Sequence, residues 1–367
     1  MNRFLPLVAA GVRHLTPYQP GKPIEELERE LGLIHIVKLA SNENPLGLGE
    51  RAKAAIAAAS ADIARYPDGG GFSLKAALAA KHSIQPGQIT LGNGSSEILE
   101  LAARAFLTPE HESVFARHAF ALYPILTQAA GAVARIAPAR DYGHDLAAMR
   151  ALINERTRLA FIANPNNPTG VLLSPSEVEA FIAELPEHVI CVLDEAYYEF
   201  VAPELRAETL HWPERYPNLL VTRTFSKAYG LAGLRIGYGV SSPELADILN
   251  RVRQPFNNSN LALAAAEAAL DDADFLQRTL ALNQAGMRQL TEAFAELGLE
   301  WIPSHGNFIA VRVGEGAFSV YEALLRKGVI VRPVANYDLP EYVRVSIGTE
   351  AENQTFIEAL RQVLAGV

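Results

Sequence analysis

The chain has 367 residues, of which 49% are hydrophobic and 20% are charged. This length favours about two domains, and the composition supports large buried cores rather than wholesale disorder. The formal net charge of −9, with no block of consecutive basic residues, disfavours a nucleic-acid partner, although local cationic pockets can still bind small anions.

The N-terminal segment, residues 1–44, contains a short apolar stretch that Arg13 and His14 interrupt. This pattern favours a short amphipathic helix over a signal peptide, and no stretch of the chain approaches the roughly 20 apolar residues of a membrane span. The single cysteine, Cys191, excludes an intrachain disulfide and fits a reducing compartment. We therefore expect a cytoplasmic protein that does not contact membranes.

Residues 45–260 alternate short apolar strands with helical segments. The predicted strands lie at 88–92, 113–116, 132–137, 158–164, 189–194 and 219–225. They are continuously apolar rather than alternating, as expected when helices cover both faces of a parallel sheet. The pattern predicts a large, doubly wound α/β domain.

Residues 261–367 have a different pattern. A long helical region rich in Ala and Leu, 261–298, ends at Gly298, a typical helix C-terminal residue. Strand patterns at 307–313, 328–334 and 341–348 follow, together with helical patterns at 318–328 and 350–367. This region predicts a smaller α+β domain, and we expect the N-terminal segment to pack on it.

Ligands of open α/β sheets bind at the carboxyl ends of the strands. The sequence "GNGSSE" follows one predicted strand and opens a helix. Gly94 allows a tight turn there, and the amides of Ser95 and Ser96 at the helix N-terminus suit a phosphate group. The alternative is an ordinary serine-capped helix.

Two further strand ends carry polar side chains. "NPNNPTG" is a rigid turn in which Asn166 and Asn167 present amides with a fixed direction. Asp194 ends an apolar strand, where a carboxylate is costly to bury without a cation, a metal or a capping role. No histidine stands at ligand spacing, so we predict no metal site.

The sequence "TFSKAYGLAGLRIGY" surrounds Lys227 with small residues. Desolvation lowers the pKa of a lysine in such a setting, which makes it a candidate nucleophile for Schiff-base chemistry. The planar guanidinium of Arg235 suits phosphate, although both cations also fit an exposed loop. The four strand-end loops together fit a pyridoxal 5′-phosphate site. In such a site the lysine binds the aldehyde, the acid keeps the pyridine nitrogen protonated, and the amides and the arginine hold the phosphate.

The chain also resembles the fold-type-I pyridoxal-phosphate aminotransferases, and most closely the histidinol-phosphate aminotransferase family. The resemblance runs from "HLTPYQPGKP" through "RYPDG", "NPNNPTG" and "DEAYYEF" to "VRVSIGT", nearly the whole chain in order. It implies a homodimer that exchanges an amino group between L-histidinol phosphate and 2-oxoglutarate in histidine biosynthesis.

The resemblance also implies the roles of the cofactor-binding residues. Lys227 holds the cofactor covalently and moves a proton, Asp194 pairs with the pyridine nitrogen, and Asn167 and Tyr197 hydrogen-bond the phenolic oxygen. The residues implied to surround the phosphate and the ring are Gly94, Ser95, Ser96, Phe120, Ser226 and Arg235.

The remaining implied residues bind the substrate or come from a second subunit. Tyr66 of "RYP" reaches the cofactor phosphate from the other subunit. Arg344 grips the substrate carboxylate or phosphate, and Tyr18, Asn42 and Arg332 help line the substrate site.

Three positions depart from the family pattern. Ser96 replaces the usual Asp, and Phe120 and Phe256 stand where Tyr is frequent. The absence of the tyrosine hydroxyls at residues 120 and 256 leaves open a substrate preference for aromatic amino acids. A pyridoxal-phosphate decarboxylase of a phosphorylated amino acid is a second alternative, whereas a cofactor-binding regulator needs a DNA-binding element that the sequence does not indicate.

Overall fold

The structure, a computed structural model, describes residues 3–18 and 20–366. Met1, Asn2, Gln19 and Val367, which belong to the predicted N-terminal segment and the last predicted helix, lie outside these ranges. The strands of the described residues are β1 Val37–Lys38, β2 Ile89–Gly92, β3 Glu112–Ala116, β4 Val133–Ala137, β5 Ala139–Arg140, β6 Gly143–His144, β7 Thr157–Ala163, β8 Ile190–Asp194, β9 Leu219–Thr224, β10 Gly237–Ser241, β11 Trp301–Ile302, β12 Phe308–Arg312, β13 Val329–Ile330, β14 Arg332–Pro333 and β15 Tyr342–Ser346.

Helices connect and cover these strands. The α-helices are α1 Ile24–Leu31, α2 Glu50–Ala59, α3 Phe72–His82, α4 Ser95–Phe106, α5 Leu122–Ala129, α6 Leu146–Ala151, α7 Pro175–Ala183, α8 Pro243–Val252, α9 Asn260–Leu270, α10 Ala273–Glu296, α11 Ala317–Arg326 and α12 Glu350–Ala365. Helix α4 coincides with the amphipathic "SSEILELAARAF" pattern that the sequence predicts.

A seven-stranded sheet forms the centre of the larger unit, in the order β2-β10-β9-β8-β7-β3-β4. Strand β10 is antiparallel to both of its neighbours, and the other pairs are parallel. One hydrophobic core lies on each face of the sheet, with Phe181 and Phe225 in one and Tyr123 and Phe161 in the other. The predicted α/β class with a mostly parallel sheet is confirmed.

A second sheet belongs to the smaller unit, in the order β11-β12-β15-β14. Helices α10, α11 and α12 pack on it and bury a core that includes Phe294 and Phe356. The N-terminal strand β1 joins this unit by parallel pairing with β13. Leu27 of α1 also packs there, against Ala40 and Ile330.

Among the elements that differ from the sequence prediction, four have a definable physical cause. The predicted strand 328–334 is two strands, because β13 pairs with β1 whereas β14 pairs with β15. The predicted helix 261–298 is two helices, because Asp272 caps α10 by accepting a hydrogen bond from Phe275 N at 3.2 Å. Strand β10 was not predicted, since two glycines weaken its pattern.

The fourth difference lies near the N-terminus. The predicted amphipathic helix is wrong, and two short 3₁₀ turns, Leu5–Leu7 and Ala10–Val12, stand in its place. Pro6 cannot donate a backbone hydrogen bond, and Gly11 lies too close to Gln128 and Gly131 of the larger unit to carry a side chain. None of the helices in the described ranges has the length and apolarity needed to cross a membrane.

Candidate active site

A cavity of about 400 Å³ opens at the carboxyl ends of β7, β8 and β9, where the larger sheet faces the smaller unit. Thirteen residues that the sequence singles out line its wall. They are Tyr18, Asn42, Ser95, Ser96, Phe120, Asn167, Asp194, Tyr197, Ser226, Lys227, Arg235, Arg332 and Arg344. In the part of the chain that the structure describes, no group of three or more His, Cys, Asp or Glu side chains is arranged to hold a metal ion.

Two predicted site residues lie outside this wall. Gly94 has a φ of +76°, and a Cβ on it would stand 2.5 Å from Nη2 of Arg235. Tyr66 is 82% exposed and stacks on Phe256 with ring centroids 4.7 Å apart. Both aromatic rings border a second, shallower cavity that reaches the main cavity at Arg235.

The N-terminus of α4 and Arg235 form one side of the main cavity. Ser95 begins α4, and a side chain on Gly237 of β10 would collide with the backbone nitrogen of Ser95. Nη1 of Arg235 donates to Ser226 Oγ at 3.4 Å. The backbone N–H groups of a helix N-terminus, hydroxyls and a guanidinium thus meet where an anion can bind.

Lys227 is partly buried in the middle of the wall. Its Nζ donates to the backbone oxygen of Ser41 at 3.1 Å and lies 5.9 Å from the ring centroid of Tyr197. Burial lowers the pKa of Lys227 to about 8, and the positive charge of Arg344 acts in the same direction. A substantial neutral fraction, the nucleophilic form of an amine, is therefore present near this pH.

Asp194 ends β8 and is 5% exposed. One of its carboxylate oxygens accepts a hydrogen bond from Tyr123 Oη at 3.0 Å, and the other accepts one from Thr222 Oγ1 at 3.1 Å. Burial raises the pKa of Asp194, and these hydrogen bonds oppose the rise. Neither donor was predicted from the sequence, although Thr222 is the register partner of Asp194 on β9.

The phenol of Tyr197 is held by two amides. It accepts hydrogen bonds from Asn42 Nδ2 at 2.9 Å and from Asn167 Nδ2 at 3.2 Å. Burial raises the pKa of Tyr197 to about 12, so the phenol keeps its own proton. Because both amides donate, that proton is available for a further acceptor.

Asn42 belongs to the protein's own hydrogen-bond network. It is 1% exposed with a φ of +54°, and its Oδ1 accepts from Ser346 Oγ at 3.0 Å. Its backbone oxygen accepts from Asn307 Nδ2 at 3.0 Å. Asn42 thus links Tyr197 to the smaller sheet, through Ser346 and Asn307, which no sequence pattern indicated.

Arg332 and Arg344 are direct register partners on the antiparallel strands β14 and β15. Opposite residues of such a pair present their side chains on the same face, and these two are 7% and 6% exposed. Arg344 donates to Asn167 Oδ1 at 2.6 Å and to the backbone oxygen of Ala40 at 2.7 Å. Its buried Nε has no partner among the described residues.

The chain matches the aminotransferase class I and II family over residues 34–360. It is 60% identical to histidinol-phosphate aminotransferase 1 of Nitrosococcus oceani over 361 residues, which are 98% of each chain. It is 58% identical to histidinol-phosphate aminotransferase of Methylobacillus flagellatus over 366 residues, which are 99% of each chain. The crystal structure of histidinol-phosphate aminotransferase from Sinorhizobium meliloti in complex with pyridoxal-5′-phosphate is similar, with a TM-score of 0.90, 30% identity and 98% of each chain covered.

Proposed function

The chain belongs to the family of class I and II aminotransferases, and we propose that it exchanges an amino group between L-histidinol phosphate and 2-oxoglutarate in histidine biosynthesis. It is a pyridoxal-phosphate-dependent enzyme with the fold-type-I architecture. The substrate assignment rests on the names of the relatives and on the paired arginines of the cavity.

The residues present fit pyridoxal phosphate. Gly94 has a φ of +76°, a left-handed conformation that favours glycine, and the guanidinium of Arg235 lies directly against it beside the N-terminus of α4. Ser95, Ser96, Ser226 and Arg235 would hold the phosphate. When bound, the cofactor supplies an aldehyde and an electron-accepting ring that stabilises negative charge on the substrate carbon.

Lys227 would supply the amine that captures the cofactor and would then move a proton at the substrate carbon. Its lowered pKa favours both tasks, because a neutral amine is required to attack and to accept a proton. Ser41, whose backbone oxygen accepts the hydrogen bond from Nζ, orients this amine.

Asp194 and Tyr197 would fix the electronic state of the cofactor. The buried carboxylate of Asp194 would hold a proton at the ring nitrogen, and the phenol of Tyr197 would donate to the phenolic oxygen together with Asn167. Phe120, in the same wall, would stack on the ring.

The structural support for the substrate proposal is the position of Arg332 directly opposite Arg344 on the neighbouring strand. Two guanidinium groups on one face of the smaller sheet offer a dianionic phosphate or a carboxylate more than one charged hydrogen bond. Tyr18 would line the same region, since its ring centroid lies 5.6 Å from Cζ of Arg332.

A homodimer with shared sites is part of the proposal. Tyr66 is 82% exposed, which leaves its ring accessible to a second copy, and the homodimer and the cross-subunit role rest on the resemblance of "RYP" to the family. A cytoplasmic location is proposed on the sequence, whose single cysteine allows no intrachain disulfide.

Single-turnover rates with different amino donors test the substrate assignment. L-Histidinol phosphate is expected to react faster than phenylalanine or tyrosine in the half-reaction, and steady-state rates with 2-oxoglutarate as acceptor give kcat/KM for each donor. L-Histidinol, which lacks only the phosphate, is the matched control and is expected to lose roughly 30-fold or more in kcat/KM. Faster reaction with phenylalanine or tyrosine would establish the aromatic aminotransferase instead.

A further inference from the structure

The carboxylate of Asp194 is held by two hydroxyl groups from different elements. Tyr123 comes from helix α5 and Thr222 from the neighbouring strand β9, and both are fully buried. The Tyr123 hydroxyl donates to one carboxylate oxygen at 3.0 Å, and the Thr222 hydroxyl donates to the other at 3.1 Å. The two donors therefore fix the orientation of the carboxylate from opposite sides.

Aromatic packing fixes the position of the Tyr123 hydroxyl. The ring stacks on Phe161 with centroids 4.6 Å apart and an interplanar angle of 9°. It meets Phe120 edge-on at 5.9 Å, and Phe120 is itself part of the cavity wall. The same tyrosine thus supports two residues of the cavity, one through its hydroxyl and one through its ring.

We infer that Tyr123 is a positioning residue, which keeps Asp194 ionised and oriented as the acceptor for the cofactor's ring nitrogen. This inference rests on the proposed role of Asp194, and it adds Tyr123 and Thr222 to the residues on which that role depends.

The chemistry of the donors supports this inference. Burial alone raises the pKa of Asp194, and hydrogen bonds to the charged form lower it. Neutral hydroxyls stabilise the carboxylate without cancelling its charge, which leaves that charge to pair with a protonated ring nitrogen. Among the described residues, the backbone N–H of Ala196 also hydrogen-bonds Asp194, and Lys227 and Tyr197 interact with it electrostatically, and substitution of Tyr123 removes none of these groups.

The test is a pH titration of the visible absorbance of the holoenzyme in the Tyr123→Phe variant. Without the hydroxyl, Asp194 becomes more basic and draws the ring proton more strongly, so the ring carries less positive charge. The nitrogen that joins Lys227 to the cofactor then becomes more basic. We expect the midpoint of the absorbance change to rise by about 0.4–1 pH unit, and kcat to fall about 2- to 10-fold.

Two further variants make the result decisive. Thr222→Val removes the other hydroxyl and is expected to raise the midpoint in the same direction. Tyr198→Phe is the matched control, because the Tyr198 hydroxyl instead lies 3.2 Å from two other acceptors, Ala207 O and Glu208 Oε1. Its midpoint is expected to stay at the wild-type value.

Each outcome supports or overturns the inference. Unchanged midpoints in both Tyr123→Phe and Thr222→Val, or equal shifts in all three variants, would overturn it. If Tyr123→Phe does not fold, Thr222→Val decides alone, because a raised midpoint supports the inference and an unchanged one rejects it. A wild-type protein that binds the cofactor but fails to transaminate L-histidinol phosphate would contradict the proposed function, and the titration would still be readable.

Discussion

The protonation of Lys227 affects the stability of the folded protein and the capture of the cofactor. Its pKa falls from an ordinary value of 10.5 to about 8 in the folded protein, mainly through burial. Between these pH values the unfolded chain binds more protons at this lysine than the folded chain does. The contribution of this group to stability therefore rises as the pH rises from about 8 to 10.5.

The same pKa predicts how the apoenzyme captures its cofactor. Only the neutral amine attacks the aldehyde, so the association rate with pyridoxal phosphate is expected to rise with pH and level off above about 8. Stopped-flow absorbance measures this rate. Pyridoxamine phosphate, which has no aldehyde, is the control and is expected to lack this midpoint. A rate that continues to climb to pH 10 would contradict the lowered pKa.

Arg332 and Arg344 predict a difference between the two half-reactions. Loss of a desolvated charge partner costs about 2–5 kcal/mol, which corresponds to very roughly 30-fold to several-thousand-fold in rate. Arg344→Ala is expected to impair both half-reactions, because Arg344 also holds Asn167. Arg332→Ala is expected to impair the L-histidinol phosphate half-reaction more than the glutamate one.

Single-turnover absorbance changes with each donor measure these effects. Arg312→Ala is the matched control, because Arg312 lies on the adjacent strand β12 and pairs with Glu300 and Glu341 at the surface. It is expected to leave both half-reactions unchanged. Equal losses for both donors in Arg332→Ala would reject its role in binding the phosphate.

The sequence could predict cavity residues that are marked by their position at strand ends. Asp194 ends one apolar strand pattern and Lys227 follows another by two residues, and parallel strands bring such ends to one edge. Tyr123 and Ser346 were not predictable in this way. Tyr123 reaches Asp194 across 71 residues, and Ser346 reaches Asn42 across 304, so only the tertiary packing brings them together.

At the scale of elements, strands β8 and β9 are joined on both faces of the sheet. Asp194 and Thr222 meet on the cavity side. The next residues, Glu195 and Arg223, form a buried ion pair, with Nε and Nη2 of Arg223 each 2.9 Å from Glu195 Oε2. Because successive strand residues face opposite sides, this pair stabilises the register that the cavity uses.

Breaking this pair is expected to destabilise the protein strongly. Arg223→Met leaves the Glu195 carboxylate buried without its cation, which costs about 3–5 kcal/mol in the free energy of unfolding. Arg223→Met combined with Glu195→Leu is expected to recover much of that loss. Denaturant unfolding measures each value.

A surface ion pair is the matched control for this experiment. Arg215 pairs with Glu179 at 2.7 Å, but its side chain is 59% exposed. Arg215→Met is therefore expected to cost no more than about 1 kcal/mol. Equal losses in Arg215→Met and Arg223→Met would contradict a special role for the buried pair.

The sequence predicted some elements well and others poorly for definable reasons. Helix α4 has an amphipathic pattern, and the prediction matches it residue for residue. The break between α9 and α10 was missed because Asp271 and Asp272 interrupt the alanine-rich pattern only briefly. Strand β10 was missed because Gly237 and Gly239 carry no strand signal.

At the scale of the whole molecule, the division of the chain at residues 44 and 260 stays a prediction. Helix α9 follows the second boundary, yet its alanines, including Ala265 and Ala266, are buried in a core of the larger unit. The smaller unit receives residues from both ends of the chain, since β1 pairs with β13. The limits of the smaller unit therefore depend on which residues pack together as well as on their positions in the sequence.

A shared site in a homodimer predicts recovery of activity in hybrids. Lys227→Ala and Tyr66→Ala are each expected to inactivate the enzyme or nearly so. A hybrid of the two contains one site with both residues intact if Tyr66 acts on the site of the other copy. Random mixing makes about half of the dimers hybrid, so roughly a quarter of the wild-type activity is expected. Turnover after verified subunit exchange is the measurement.

Asp194→Ala is the control partner for these hybrids. Asp194 and Lys227 line the cavity of one chain, so hybrids of Asp194→Ala with Lys227→Ala contain no intact site and are expected to stay inactive. Recovery in this control, or its absence in the Tyr66→Ala hybrids, would argue against sites completed by a second copy. Tyr66→Phe alone is expected to weaken cofactor retention by about 0.5–1.5 kcal/mol.

The contacts of the segment after β1 with β15 have a consequence for the order in which a newly made chain becomes functional. Asn42 and Ala40 emerge from the ribosome early, but their partners Ser346 and Arg344 follow 304 residues later. Strands β2 to β10, with Asp194 on β8 and Lys227 in the loop after β9, are complete long before that point. We therefore expect a nascent chain to assemble the surface that binds the cofactor before the surface that binds the substrate, because the second surface also needs β15.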